Sequence, residues 1–499
     1  MDRPEHTWDQ QQRQQRQQHP GRLRGTRVMN WEQIRDWDSP PADVAPPPAA
    51  RRRRLPAAAG PRLRGQQSSA SSTAGTGSAL SYLIQGCLVP KGGLTAEQGG
   101  YEKSDVLIAD GHIVSVTTDS AAAVSTTAEG CTVVDGTDKL LLPGLHNAHT
   151  HSNFYWAKGG IAPLPLELMV AIPTTETPLK PGDPRADLPM HEFPADIVER
   201  YRIGALATGL HNLMSGGTSL IDMISLPEGD NELTMACLHA AAQGYRESGV
   251  RCFLGPQFHD TVDDSPNGGY TANYMACAPV GCALPSYLEG LASDGSLRDQ
   301  RAPLDPAKTK NVLGLWRRAI EELHCPEEGL SIILSPHNEL TCSVEMFEGC
   351  AQIMRDHPTV HATCHLLEGL HQPISSDQRY GVPAEGEPTG SLVALDKCGF
   401  LTPRVTFAHA VHLRDADRAL LAARGCTVSH NPISNCRLGA GVADVPAMLE
   451  AGISVGLGVD GAGSGVDSQD ILEAAKFACL IHNPQHQDYR KWLTPRKAM

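Results

Sequence analysis

The sequence predicts an α/β chain: a (β/α)8 barrel preceded by a small β module. Three observations carry that prediction. Beyond Pro143, short apolar strands alternate with longer amphipathic helical patterns through eight repeats. The polar residues able to do chemistry fall at or just past the C-terminal ends of those strands, the face on which barrels build their sites. No Gly-rich phosphate turn follows the first strand, which counts against the alternative, a doubly wound open sheet.

Residues 1–78 hold QQQRQQRQQ, PPADVAPPP, RRRR and SSASSTAGTGS, low-complexity sequence that cannot bury enough surface to offset its entropy. This stretch reads as a disordered tail. Its Arg and Ser content also fits an organelle transit peptide, but Asp2, Glu5 and Asp9 count against that, so a cytoplasmic location is expected. The tail carries 13 Arg, no Lys and 7 acids, a balance of +6, so the rest of this −14 chain carries −20. A body that acidic is no platform for nucleic acid. No apolar run reaches membrane-spanning length. The 14 Cys include no CxxC pair and sit in apolar contexts such as GVRCFLG and HATCHLL, as buried thiols of a reducing compartment do.

Residues 79–142 read as a partial β-sandwich, from the β-patterned segments SYLIQGCLV, DVLIADGHIVSV and CTVVDGTDKLLL, bounded by Gly and Asp. Residues 143–499 form the barrel. Its candidate strands are GLHNAHTH (144–151), SLIDMI (219–224), RCFLGPQF (251–258), SIILSPHN (331–338), VHATCHLLE (360–368), VTFAHAVHL (405–413), CTVSHNP (426–432) and SVGLGVDG (454–461). The Pro- and Gly-rich segments 160–200 and 262–310 read as lids over the barrel mouth, where substrate choice resides.

Side chains at i and i+2 of a strand project to one side, so His149 and His151 of PGLHNAHTH can share one ion. Alone the pair is weak evidence: with 21 His in the chain, about one HxH arises by chance. Two more strand ends supply His365 and Asp460, and the four make a three-nitrogen, one-oxygen set that suits Zn2+ with room for a water. Glu368 follows His365 by three residues and is placed to protonate a substrate ring nitrogen, with Asp460 taking the proton from water. The bland reading of Glu368 is a carboxylate at a helix start. His409 reads as a hydrogen-bonding group for the hydroxide or oxyanion, or as an extra ligand. His412 reads as structural and His146 as a packing residue. His430 either enters the site or pins the loop through Asn431, Ser434 and Asn435. The fourth strand has no Lys to bridge a second ion, so one divalent ion is expected.

PGLHNAHTH, SPHNELTCS, HATCHLLE, FAHAVHL, SHNPISNCRLGAG and GLGVDGAGS together resemble the amidohydrolase superfamily. The resemblance is to its mononuclear branch, which includes S-adenosylhomocysteine and methylthioadenosine deaminases, guanine and 8-oxoguanine deaminases and triazine hydrolases. It implies a barrel plus a sandwich assembled from both chain ends. It implies zinc, favoured over iron, on His149, His151, His365 and Asp460, with Glu368 and Asp460 moving protons and His409 orienting hydroxide or substrate. His337 matches a position that contacts substrate in adenosine-type deaminases. A small heterocyclic substrate and a homodimer are the partners the resemblance allows.

The chain departs from the family pattern at Gly369, where many relatives have Thr, and after the Asp-Gly of GVDGAGSG, which lacks the usual Ser-Asn step. Asn338, Glu339 and Leu340 stand where relatives usually carry a small residue, Pro and an aromatic. These departures bear on the substrate and not on the ion. WLTPRKAM resembles the start of the family's last barrel helix, so the barrel is expected to be truncated and the β module to show an uncovered apolar face. The expected function is hydrolytic deamination of an amino-heterocycle of purine, pterin or triazine type. The alternatives are an amidase acting at the same site and a non-catalytic barrel that binds.

Overall fold

A computed structural model describes residues 81–91, 100–119, 131–158, 164–169, 196–261, 304–463, 465–485 and 488–498. The predicted tail, and most of both predicted lids, lie outside the described residues.

The first four strands are β1 (Ser81–Pro90), β2 (Tyr101–Ala109), β3 (His112–Thr117) and β4 (Thr132–Asp135). They form one sheet in the order β3-β2-β1-β4, with β4 parallel to β1 and the other pairs antiparallel. Asp110 and Gly111 join β2 to β3 with φ of 52° and 74°. Two successive positive φ values match the right-handed twist of a hairpin, which is why Asp-Gly stands there. Leu83 and Leu107 are buried together, and Ile113, Val114, Val116 and Val133 are exposed.

Among the described residues, nine parallel strand segments follow: β5 (Leu145–Thr150), β6 (Gly217–Ser225), β7 (Arg251–Phe258), β8 (Leu330–Ile332), β9 (Ser335–Pro336), β10 (Ala362–Leu366), β11 (Val405–His409), β12 (Thr427–His430) and β13 (Ser454–Leu457). They make two parallel sheets, β5-β6-β7-β8 with β9 added on β7, and β10-β11-β12-β13. The ladder does not run unbroken around the ring. At one seam Val459 N and Asp460 N donate to His149 O at 3.2 and 2.9 Å. At the other, Thr363 N donates to Leu334 O and His365 N to His337 O, at 2.8 and 3.1 Å. The predicted fourth strand, 331–338, is two pieces, because Leu334 N turns to His361 O across the seam and Pro336 has no N–H to give.

Helices cover the outside, several opened by an Asp or Ser whose side chain accepts from the first free backbone N–H groups: Asp196, Asp230, Asp305, Ser343 and Asp470. Between helices and strands lies one apolar cluster containing Tyr245, Trp316, Phe347, Phe400 and Phe407, each burial contributing about 1.5–3 kcal/mol. No described helix is long and apolar enough to cross a membrane.

Two predicted strands end early for one shared reason. Leu367, His409, Ala410 and Asp460 have φ of 43°, 70°, 49° and 68°, a left-handed conformation that stops a strand. The 360–368 and 405–413 runs therefore leave the sheet at Leu366 and His409; the 454–461 run leaves it at Leu457, three residues before Asp460. Of the six described non-glycine residues with positive φ, these four stand at one end of the ring, where the strain is held by the site it builds.

Candidate metal centre

Strand alternation sends His149 and His151 to the same side, and their rings meet edge to face at 4.7 Å. His365, the penultimate residue of β10, brings its Nε2 to 3.2 Å from His151 Nε2. Asp460 Oδ1 lies 3.3 Å from His151 Nε2 and 3.6 Å from His149 Nε2. Donor atoms of His149, His151 and His365 all lie within 4.8 Å of one another, and so do those of His149, His409 and Asp460. Tetrahedral ligands about 2.0–2.1 Å from a common ion stand about 3.3 Å apart, so the spacing fits.

Neither ring nitrogen of His149 has a hydrogen-bond partner, although the residue is wholly buried. A buried polar group left so is costly unless something else satisfies it, and a cation does. Burial, then the neighbouring imidazoles of His151, His365 and His409, hold the His149 pKa well below the ordinary range. The ring is thus neutral, the form that binds metal. Two other ligand candidates have their tautomers set from behind: His151 Nδ1 bonds to Met223 O at 2.5 Å and His365 Nδ1 to His337 O at 2.8 Å. A carbonyl can only accept, so each Nδ1 carries the proton and each Nε2 is left bare toward the cluster.

Burial alone would raise the Asp460 carboxyl; the neighbouring imidazoles of His151 and His409 and a bond from Ser434 Oγ outweigh it and hold it below the usual carboxylate range. Gln469 Nε2 and Thr150 Oγ1 both donate to Asp460 O, at 2.7 and 2.9 Å. Gly465 makes room: a Cβ there would stand 2.7 Å from Asp460 Oδ2. Glu368 is buried beside the cluster, with Oε1 3.5 Å from His409 Nδ1. His409 also bonds through Nδ1 to Asn435 Oδ1 at 2.8 Å, and burial lowers its pKa.

His149, His151, His365, Glu368, His409 and Asp460 therefore come together. His337 is adjacent, its ring centre 5.0 Å from that of His365 and its Nδ1 on Thr341 Oγ1 at 2.9 Å. Its backbone oxygen, which orients His365, is a contribution that the sequence reading missed. His430 goes elsewhere. Its neighbours Ser429 and Asn431 crowd Gly458 beside His149, so by period two His430 faces outward, with its ring 5.4 Å from that of His482. Burial there lowers its pKa to about 3. His430 also lines a groove of about 340 Å3 with Val455, Leu457 and Ile471, away from the cluster. His412 is structural as expected, bonding to Ala440 O at 2.8 Å. His146 is not packed: it is exposed and bonds to Ser219 Oγ at 2.6 Å.

Asp222 was also missed. It accepts from Ser152 N, Ser152 Oγ and Tyr245 OH at 3.0, 2.6 and 2.7 Å and so pins the chain just after His151. Its Asp within SLIDMI, a polar residue in an apolar strand, was the available signal.

Residues 140–499 match the model of the amidohydrolase family. The chain is 28% identical to a 5'-deoxyadenosine deaminase of Methanothermobacter thermautotrophicus, over 79% of this chain and 73% of the relative. It is 27% identical to a 5-methylthioadenosine/S-adenosylhomocysteine deaminase of Thermococcus onnurineus, over 77% and 72%. Atrazine chlorohydrolase from Arthrobacter aurescens, solved in complex with zinc, superposes with a TM-score of 0.60 at 23% identity, over 83% of this chain and 80% of that one, a likeness of fold. The chain belongs to the amidohydrolase family. It is a hydrolase of carbon–nitrogen bonds with a His/Asp cluster for a divalent metal.

Proposed function

We propose that the protein hydrolytically deaminates a small amino-heterocycle, with an adenine nucleoside such as 5'-deoxyadenosine or S-adenosylhomocysteine as the leading candidate class. In this reading His149, His151, His365 and Asp460 hold one zinc ion. The observation that carries it is the convergence of those four donors, from three strand ends, beside the buried carboxyl of Glu368. The deaminase relatives supply the substrate class, and the zinc of the triazine-type neighbour supplies the metal.

When bound, a divalent ion there lowers the pKa of a water from about 15.7 toward about 7 and so supplies a nucleophile at neutral pH. The protein's own groups do the rest. Asp460, kept ionised by its imidazole neighbours, accepts the proton that the water gives up. Glu368 delivers a proton to the ring nitrogen beside the reacting carbon, a transfer worth about 10²–10⁴ in rate. His409, oriented by Asn435, hydrogen-bonds the attacking oxygen, and His337 meets the base. The oxygen of water replaces the amino group, which leaves as ammonia.

The test is metal analysis of the full chain, followed by ammonia release from 5'-deoxyadenosine, S-adenosylhomocysteine, guanine and an amino-triazine. Stoichiometric zinc and ammonia from an adenine nucleoside are expected. Zinc-loaded protein that releases no ammonia from any of the four would overturn the proposal, and ring opening without ammonia would point to the amidase reading.

A further inference from the structure

We propose that Glu339 is a positioning residue for Glu368, holding the left-handed turn at Leu367 that carries the Glu368 carboxyl to the cluster. The inference rests on the proposed role of Glu368 as the proton carrier. Leu367 has φ of 43° and is wholly buried, a costly conformation for a branched side chain. Both backbone groups of Leu367 and the amide of Glu368 have partners. Glu339 Oε1 accepts from Leu367 N at 3.3 Å. His412 N donates to Leu367 O at 3.0 Å. Glu368 N donates to Gln372 Oε1. Of the three, the Glu339 bond is the one made by a side chain from a different strand end.

Glu339 is itself firmly mounted. Asn338 Oδ1 accepts from the amides of Leu340 and Thr341, both at 2.9 Å, closing the turn on which Glu339 stands. Arg379 donates to the backbone oxygens of Glu339 and Leu340 at 3.3 and 3.4 Å, from the helix that also carries Gln372. Asn338 pairs with His365 in a parallel bridge. The turn at 338–341 and the segment 365–380 therefore form one unit, with Glu339 as the strut between them.

As packing, the carboxyl is a poor choice. It is 2% exposed, and Oε2 has no hydrogen-bond partner. An apolar side chain of similar volume would be at least as stable in such a place. A positioning role supplies the reason for an acceptor here: a leucine cannot receive the Leu367 amide. Misplacement of a reacting group by about 1 Å costs about 10²-fold in rate.

The experiment uses the zinc-loaded full chain with Glu339→Leu and Glu339→Gln, and with Glu339→Met if the leucine chain does not fold. Turnover of 5'-deoxyadenosine, bound zinc and deuterium uptake by the peptide spanning 365–369 are measured for each. Glu339→Leu, and Glu339→Met in its place, is expected to keep its zinc, its KM and its heat stability, to lose about 10–100-fold in kcat, and to lose exchange protection at 365–369. Glu339→Gln keeps an acceptor oxygen, so kcat and protection are expected to stay near wild type. Wild-type kcat in the leucine variant, equal losses in leucine and glutamine, or a loss in KM alone would each overturn the proposal. If wild-type protein releases ammonia from none of the four candidate substrates, the functional reading is what has failed. Exchange protection then decides the strut by itself: protection retained in the apolar variant refutes it, and protection lost there but kept in glutamine sustains it.

Discussion

Glu339 offers a measurement whose size follows from its surroundings. Burial pushes its carboxyl from 4.5 up to about 7, against smaller lowering effects from its backbone bonds and Arg379. At about 1.36 kcal/mol per pKa unit, the difference is about 3 kcal/mol. The sign follows from proton binding. Between pH 4.5 and 7 the folded chain holds a proton at Glu339 that the unfolded chain has released. Stability from this group therefore falls as pH rises through that window. The cost is absent below about 4.5 and complete above about 7. Glu339→Gln has no such term. Urea unfolding of both chains, with metal chelated, is to be compared at pH 5, 6, 7 and 8. The stability of Glu339→Gln relative to wild type should climb by about 3 kcal/mol from the acid end to the alkaline end. All other titrations are common to both chains and cancel. A difference that is flat with pH, or that shrinks toward pH 8, would refute the claim that this carboxyl is buried without full compensation.

Three further outcomes are expected. Excess zinc should stabilise the wild-type chain, by about 4 kcal/mol at a thousand times its Kd, and His149→Ala should abolish that increment; thermal unfolding with and without zinc reads it directly. Glu368→Gln should keep full zinc occupancy while losing about 10²–10⁴ in kcat, checked by metal analysis beside ammonia release. Gly458→Ala should lower stability by about 1–3 kcal/mol and weaken zinc retention during dialysis, because the added Cβ would stand 2.9 Å from His149 Cβ and closer still to Asn431 Oδ1 and Ser429 Oγ.

The barrel class and most of the cluster were legible in the chain, because both rest on local patterns. An alternation of apolar strands and amphipathic helices needs no knowledge of what packs on what. The spacing of His149 and His151 puts both on one face by geometry alone. His365, His409 and Asp460 each close an apolar run, and barrels gather such ends on one face. The same reasoning overran two strands, since no residue type announces a left-handed Leu367 or Ala410; their surroundings in the fold decide that conformation.

Sequence by itself thus determined the parallel α/β architecture, the imidazole pair and the strand ends from which the other members of the cluster come. Tertiary structure alone decided that His430 turns outward toward His482, that the His337 carbonyl sets the His365 tautomer, and that Glu339 reaches the Leu367 amide. The division has a physical cause. Periodicity and propensity act between neighbours in the chain, whereas burial, tautomer and pKa depend on groups that folding alone brings within a few ångströms.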